Sequence, residues 1–133
     1  MFAGARNPLG RLDDVQAAEL ADRPWILGRN LGNVGEAWQA AWKRARRGPP
    51  LPVVEATSLE FCRQALARGP YLTILPRGLV AADVAARRLQ GIPVAEFAWE
   101  RPIALYTHRS VTRSKRLFDL MAALRTAAHA WQA

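Results

Sequence analysis

The chain has 133 residues, half of them apolar and 23% charged, with a net charge of +8. That length supports one domain with a real core and leaves little room for two. The composition excludes intrinsic disorder, and no apolar run approaches the roughly 18–20 residues of a membrane span.

The opening stretch MFAGARNPLG lacks the long apolar segment of a secretory signal. With a single cysteine, Cys62, no intramolecular disulfide can form. A reducing cytoplasm is the expected compartment. The basic balance points to anionic partners. Yet the nineteen basic residues, all arginine except Lys43 and Lys115, are dispersed apart from the run Lys43 to Arg47. That run lies near the end of an expected helix, where cations suit the dipole, and no aromatic residues interleave with it. It reads as a solvated helix end rather than a nucleic-acid patch.

Along the chain, Phe2 to Arg6 reads as a short strand and Asn7 to Gly10 as a turn. Val15 to Ala21 reads as a short helix capped by Asp13 or Asp14. Pro24 opens an apolar strand, Trp25 to Leu27. Gly28 to Asn33 is a loop, with Asn33 and Glu36 at the cap and third positions of the next helix. Val34, Ala37, Trp38, Ala41, Trp42 and Ala45 then recur at offsets of three and four, the clearest amphipathic helix in the chain. It is expected to reach Arg47, where Gly48-Pro49-Pro50 forbids continuation.

Pro52 to Ala56 reads as a strand. Thr57-Ser58-Leu59-Glu60 fits a capping box with Thr57 as the cap. The helix it opens runs to Arg68 and stops at Gly69-Pro70. Tyr71 to Leu75 is an apolar strand that delivers Pro76 and Arg77 to a loop, and Leu79 to Leu89 reads as a helix. Strands are expected over Ile92 to Phe97 and Pro102 to His108. The last helix, about Arg113 to Trp131, carries a candidate buried face of Leu117, Leu120, Met121, Leu124, Ala128 and Trp131.

Strands alternating with helices imply an α/β fold, Rossmann-like, with a mainly parallel sheet flanked by helices. Ligands of such sheets sit beyond the carboxyl ends of the strands. Three strand-to-helix loops are thereby singled out: Gly28 to Asn33, Ala56 to Ser58, and Pro76 to Gly78. Each opens a helix whose first amides favour an anion. The plain alternative, that these residues only cap helices, carries equal weight on these grounds.

The stretch NPLGRLDDVQAAELADRPWIL resembles the point in LysR-type transcriptional regulators where the chain crosses into the second lobe of the effector-binding domain. EATSLEFCRQALARGPYLTILPRGLV resembles that family's helix-strand unit ending in Leu-Pro, and RRLQGIPV, RPIALYTHRS and the closing helix fit its return to the first lobe. There are departures. Asn7 stands where the family usually has His before Pro-Leu, and Gly69-Pro70-Tyr71 where it often has Gly-Leu-Gly.

The resemblance implies the second lobe of a type II periplasmic-binding-protein-like fold. Residues 1–133 would form a single partial effector domain. About 14–98 would be the second lobe, with 1–13 and 99–133 as crossover segments and the first-lobe strand and helix. No winged helix-turn-helix is present in the sequence, so no specific DNA binding is expected of this chain. The resemblance implies a regulatory, non-catalytic role without cofactor or metal, a small effector that is often a carboxylate, and homo-oligomers. Carried onto this chain, effector contacts fall on Arg29, Asn30, Gly32, Asn33, Thr57, Ser58, Pro76 and Arg77.

Other functions have thinner support. His108 and His129 match no metal-ligand spacing. Cys62 sits within an amphipathic helix and reads as a small core residue rather than a nucleophile. No nucleophile elbow, P-loop or dinucleotide fingerprint occurs. A non-specific nucleic-acid binder rests on charge alone, and steep salt dependence is its signature. An assembly module rests on the five tryptophans and on effector domains of the resembled family forming oligomers.

Overall fold

The computed structural model describes residues 1–29, 33–100, 104–108 and 114–132, the last three without their side chains. Two units are distinct, Met1–Arg101 and Pro102–Ala133.

The first unit holds five strands: β1 (Phe2–Gly4), β2 (Ile26–Gly28), β3 (Val54–Ala56), β4 (Leu72–Thr73) and β5 (Leu89–Gly91). Its helices are α1 (Val34–Arg44), α2 (Leu59–Arg68) and α3 (Arg77–Ala85). β1 lies between β4 and β5 and is antiparallel to both. β2 and β3 pair in parallel, and a parallel bridge between Trp25 and Leu72 joins this pair to β4. β2, β3, β4 and β5 therefore share one direction, which β1 alone opposes.

Strand alternation distributes the core over two faces. Ala3, Leu72 and Ile74 belong to one cluster with Trp25, Trp38 and Trp42. Phe2, Leu75, Val80 and Leu89 belong to the other, with Leu66 of α2. The buried residues of α1 are Val34, Ala37, Trp38, Ala41 and Trp42, as its spacing predicts. Trp25 stacks on Phe97 with centroids 5.5 Å apart, and Trp38 meets Trp25 edge-on at 4.5 Å. The Trp25 indole also donates to the Leu20 carbonyl at 2.8 Å, which satisfies its polar end inside the core.

Several boundaries differ from the sequence reading. The expected helix at Val15 to Ala21 is one 3₁₀ turn, Ala17–Leu20, and neither Asp13 nor Asp14 caps it. Asp14 instead accepts from the Gln16 side chain at 2.8 Å. α1 stops at Arg44, because Arg46 turns left-handed with φ 54° and Arg47 N–H closes back on the Trp42 carbonyl. Arg44 then donates to the carbonyls of Glu96 and Ala98, at 2.9 Å from Nε and 3.0 Å from Nη2, which pins the 3₁₀ turn Ala95–Phe97 against α1.

α3 likewise ends early, at Ala85, where Arg87 is left-handed with φ 54°. Leu89 thus starts a strand instead of ending a helix. The strand expected at Ile92 to Phe97 is displaced to Leu89–Gly91, and its second half is the 3₁₀ turn.

One ion cluster ties α2, α3 and the approach to β5. Asp83, 4% exposed, accepts from Arg63 and, at 2.8 Å, from Arg88. The Arg63 bond, followed by that of Arg88, outweighs burial and holds the Asp83 carboxyl below its ordinary range.

In the second unit, residues 104–108 form no strand, and Pro102 and Ile103 lie outside the described residues. α4 spans Lys115–Gln132; the Arg113 start expected for it lies outside the described residues. Of its candidate buried face, Leu117 and Met121 are partly covered, whereas Leu120 and Leu124 are exposed. No helix among the described residues is long and apolar enough to cross a membrane.

Candidate functional site

Register fixes how the three strand ends align. Ile26 faces Val54, and Gly28 faces Ala56. Trp25 faces Leu72. Carried forward, these registers place Arg29 and Thr57 on one level, immediately beyond β2 and β3, with Pro76, three residues past β4, on the same level. Arg29 N–H still donates to the Ala56 carbonyl at 2.7 Å, which holds the first two loops together. Adjacent strands lie about 4.8 Å apart, so the three ends span about 10 Å, the width of a small metabolite.

Each loop feeds a helix, and the three N-termini are closed differently. Ser58 caps α2: its Oγ accepts from the Phe61 amide at 3.2 Å. This corrects the expectation of Thr57 as the cap. Both residues carry a hydroxyl, but Ser58 is the last residue with extended backbone before the helix. Thr57 is left exposed in the loop.

Asn33 precedes α1 yet makes no capping bond, and its Oδ1 is buried without a hydrogen-bond partner among the described residues. Pro76 precedes α3 and has no side chain able to cap. Two of the three helices thus present first-turn amides that no side chain at the cap position answers. A helix N-terminus carries roughly half a positive charge, so the arrangement favours a negative group.

The cations differ as well. Arg29 Nε lies 2.5 Å from Glu55 Oε2, a pair whose side chains are 65% and 38% exposed. Such a pair contributes about 0–1 kcal/mol, so Arg29 can leave it at small cost. Arg77, at the first turn of α3, is exposed and makes no ion pair among the described residues. It also borders an open, mostly apolar concavity of about 530 Å³ against α3 and β5, with Ala81, Val84 and Ile92. The loops after β2 and β3 take no part in that concavity. Asn30 and Gly32 lie outside the described residues.

Glu55 was not singled out in the sequence. The signal was available: an acid beside the end of one strand and a base beyond the end of another, both in the candidate loops.

Cys62 is buried in α2, and burial pushes its thiol upward, away from the nucleophilic thiolate. Among the described residues no group of three His, Cys, Asp or Glu side chains is placed to hold a metal ion.

No match is found among curated proteins. The family model described as the LysR substrate binding domain matches residues 1–129. Domains of that family have a type II periplasmic-binding-protein-like α/β fold and serve as effector-binding modules of transcription regulators, not as enzymes. With the match covering nearly the whole sequence, the chain belongs to the LysR substrate-binding domain family.

Proposed function

We propose that this chain is a ligand-sensing module that binds a small anionic metabolite, a carboxylate, at the level of Arg29, Thr57 and Pro76. Arg77 and the amides opening α1 and α3 attract the carboxylate. Ser58 keeps α2 in place, and Asn33 and Thr57 offer polar contacts beside it. The shared direction of β2, β3 and β4 supports a Rossmann-like lobe, whose strand ends are where such sheets bind ligands. The module acts in the cytoplasm as part of a homo-oligomeric regulator.

The observation that carries this reading is that two of the three helices following these strands, α1 and α3, open without a side-chain cap. Isothermal calorimetry with a panel of small carboxylates tests it. A single wall encloses only part of a ligand, so a dissociation constant of about 1 mM is expected. Arg77→Ala should weaken binding. Glu55→Gln should strengthen it, because it frees Arg29 and removes a negative charge from the loop level. A panel without saturable binding, or one indifferent to both substitutions, would overturn the reading.

A further inference from the structure

A second concavity lies at the other ends of the shared-direction strands. Its volume is about 240 Å³, and it is lined by Ala5, Arg6, Ala67, Arg87 and Arg88. Ala5 and Arg6 follow β1, which runs against the other strands. Arg87 and Arg88 immediately precede β5. This concavity is therefore at the opposite end of the sheet from the loops of Arg29, Thr57 and Pro76.

Three arginines and no acid line it. The segments that carry them are tied together, since the Ala5 amide donates to the Arg88 carbonyl at 3.0 Å. Arg88 Nε is aimed by its 2.8 Å bond to Asp83, while its two terminal nitrogens bond nothing among the described residues. Arg6 and Arg87 make no ion pair among the described residues. Arg63, which also reaches Asp83, is itself paired with Glu60 at 2.8 Å, so Asp83 offsets Arg88 and the uncompensated charge of the cluster rests on Arg6 and Arg87.

Helix dipoles are the ordinary explanation for arginines at such places, because α2 and α3 both end nearby. Two C-termini supply roughly one negative charge together. Arg6 and Arg87, the two guanidiniums without an ion pair among the described residues, exceed that by about one positive charge. Arg6, moreover, belongs to no helix. Arg87 occupies a left-handed position, with φ 54°, where glycine is the unstrained choice. An arginine there gives up backbone ease and adds a cation to the concavity.

We propose that Arg6, Arg87 and Arg88 form an anion site that takes one phosphate group, either as free phosphate or as the phosphate of a monoester. Guanidiniums match phosphate oxygens in pairs, and three of them lining one concavity suit a tetrahedral dianion. The volume is below the roughly 300–1,000 Å³ of pockets that enclose whole drug-sized ligands. The site thus holds a phosphate group with any ester portion lying outside. Duplex DNA calls for a stripe of cations along a surface, not three in one concavity.

The test is calorimetric titration of the whole chain with inorganic phosphate and, in parallel, with a simple alkyl phosphate, at fixed ionic strength. One anion per chain is expected, with a dissociation constant of about 1 mM or tighter. The alkyl arm separates the two sources: equal binding means the phosphate group alone is read, and tighter binding means the ester is. Both outcomes support the site only if Arg6→Ala and Arg87→Gly each weaken binding, by about tenfold. Arg87→Gly suits the left-handed backbone, so its thermal midpoint should not fall, and weaker binding then reflects the lost cation. Arg47→Ala, the same charge change at the end of α1, should leave binding unaltered. Absence of saturable heat overturns the proposal. So does loss of binding in Arg77→Ala with Arg6→Ala unaffected, which would place the anion at the other end of the sheet. Duplex DNA binding that depends on Arg6 and Arg87, with no phosphate binding, also overturns it.

Discussion

Replacing Asp83 by Asn removes one negative charge from a buried position and leaves its shape. Two charge-assisted bonds end on this carboxylate, from Arg63 and Arg88. Each such bond contributes about 1.5–3 kcal/mol when fully shielded. Shielding here is partial, because the Arg63 side chain is 28% exposed and that of Arg88 54%. Both guanidiniums recover water when the acceptor fails, so the low end of that range applies. Asn keeps one acceptor oxygen and turns its amide donors toward a guanidinium. The net cost is about 2 kcal/mol at neutral pH.

Urea unfolding followed by tryptophan fluorescence reads this directly, since Trp25, Trp38 and Trp42 lie in the core. With a slope of about 1.5 kcal/mol per molar urea, the midpoint should fall by roughly 1.3 M. The pH dependence has a definite sign. The folded carboxyl titrates below its ordinary value of 3.8, so its stabilisation is fully present above that value. The contribution is lost as pH falls from there through the depressed folded value. The gap between wild type and Asp83→Asn should therefore be constant from pH 8 to 5 and shrink below about pH 4. A variant within about 0.5 kcal/mol of wild type at pH 7, or a gap unchanged down to pH 3, refutes the reasoning.

Ser58→Ala should destabilise the fold by about 1 kcal/mol, whereas Thr57→Val should cost less than about 0.5 kcal/mol. Equal costs in denaturant melts would mean that the two hydroxyls share the cap. Gly4→Ala places a methyl 2.4 Å from the Leu66 carbonyl oxygen, a backbone atom of α2 that cannot swing aside. A loss of about 1–3 kcal/mol is expected by thermal unfolding, and an unchanged midpoint would show that α2 shifts freely.

What the sequence disclosed depended on how each element is stabilised. α1 was legible because its burial is periodic: Val34, Ala37, Trp38, Ala41 and Trp42 are buried where the spacing puts them, and only Ala45, just past the helix end, is partly exposed. The loops after β2, β3 and β4 were legible because the order of strand and helix fixes them. The ends of α1 and α3 were not, since each closes through a left-handed arginine instead of a glycine. A two-residue choice of cap, Thr57 or Ser58, depends on backbone angles that composition does not encode. Residues 104–108 alternate as a strand should, but periodicity describes a face and not the neighbour that a strand must pair with. The partner of Arg29 and the triple meeting at Asp83 arise from chain segments that are distant in sequence, so local pattern could not announce them.

β1 has a consequence for how the chain acquires its shape. Phe2 pairs with both Thr73 and Gly91, so the earliest strand made closes onto the last two of its unit. At roughly 5–20 residues per second, on the order of 5–20 s separates the synthesis of these partners. Such distant pairings also slow the search itself. Until β1 docks, the side of β4 away from β2 has open backbone groups, the kind of edge on which nascent chains join one another. The position of Phe2–Gly4 between β4 and β5 thus creates an interval during synthesis when a holding chaperone has something to hold.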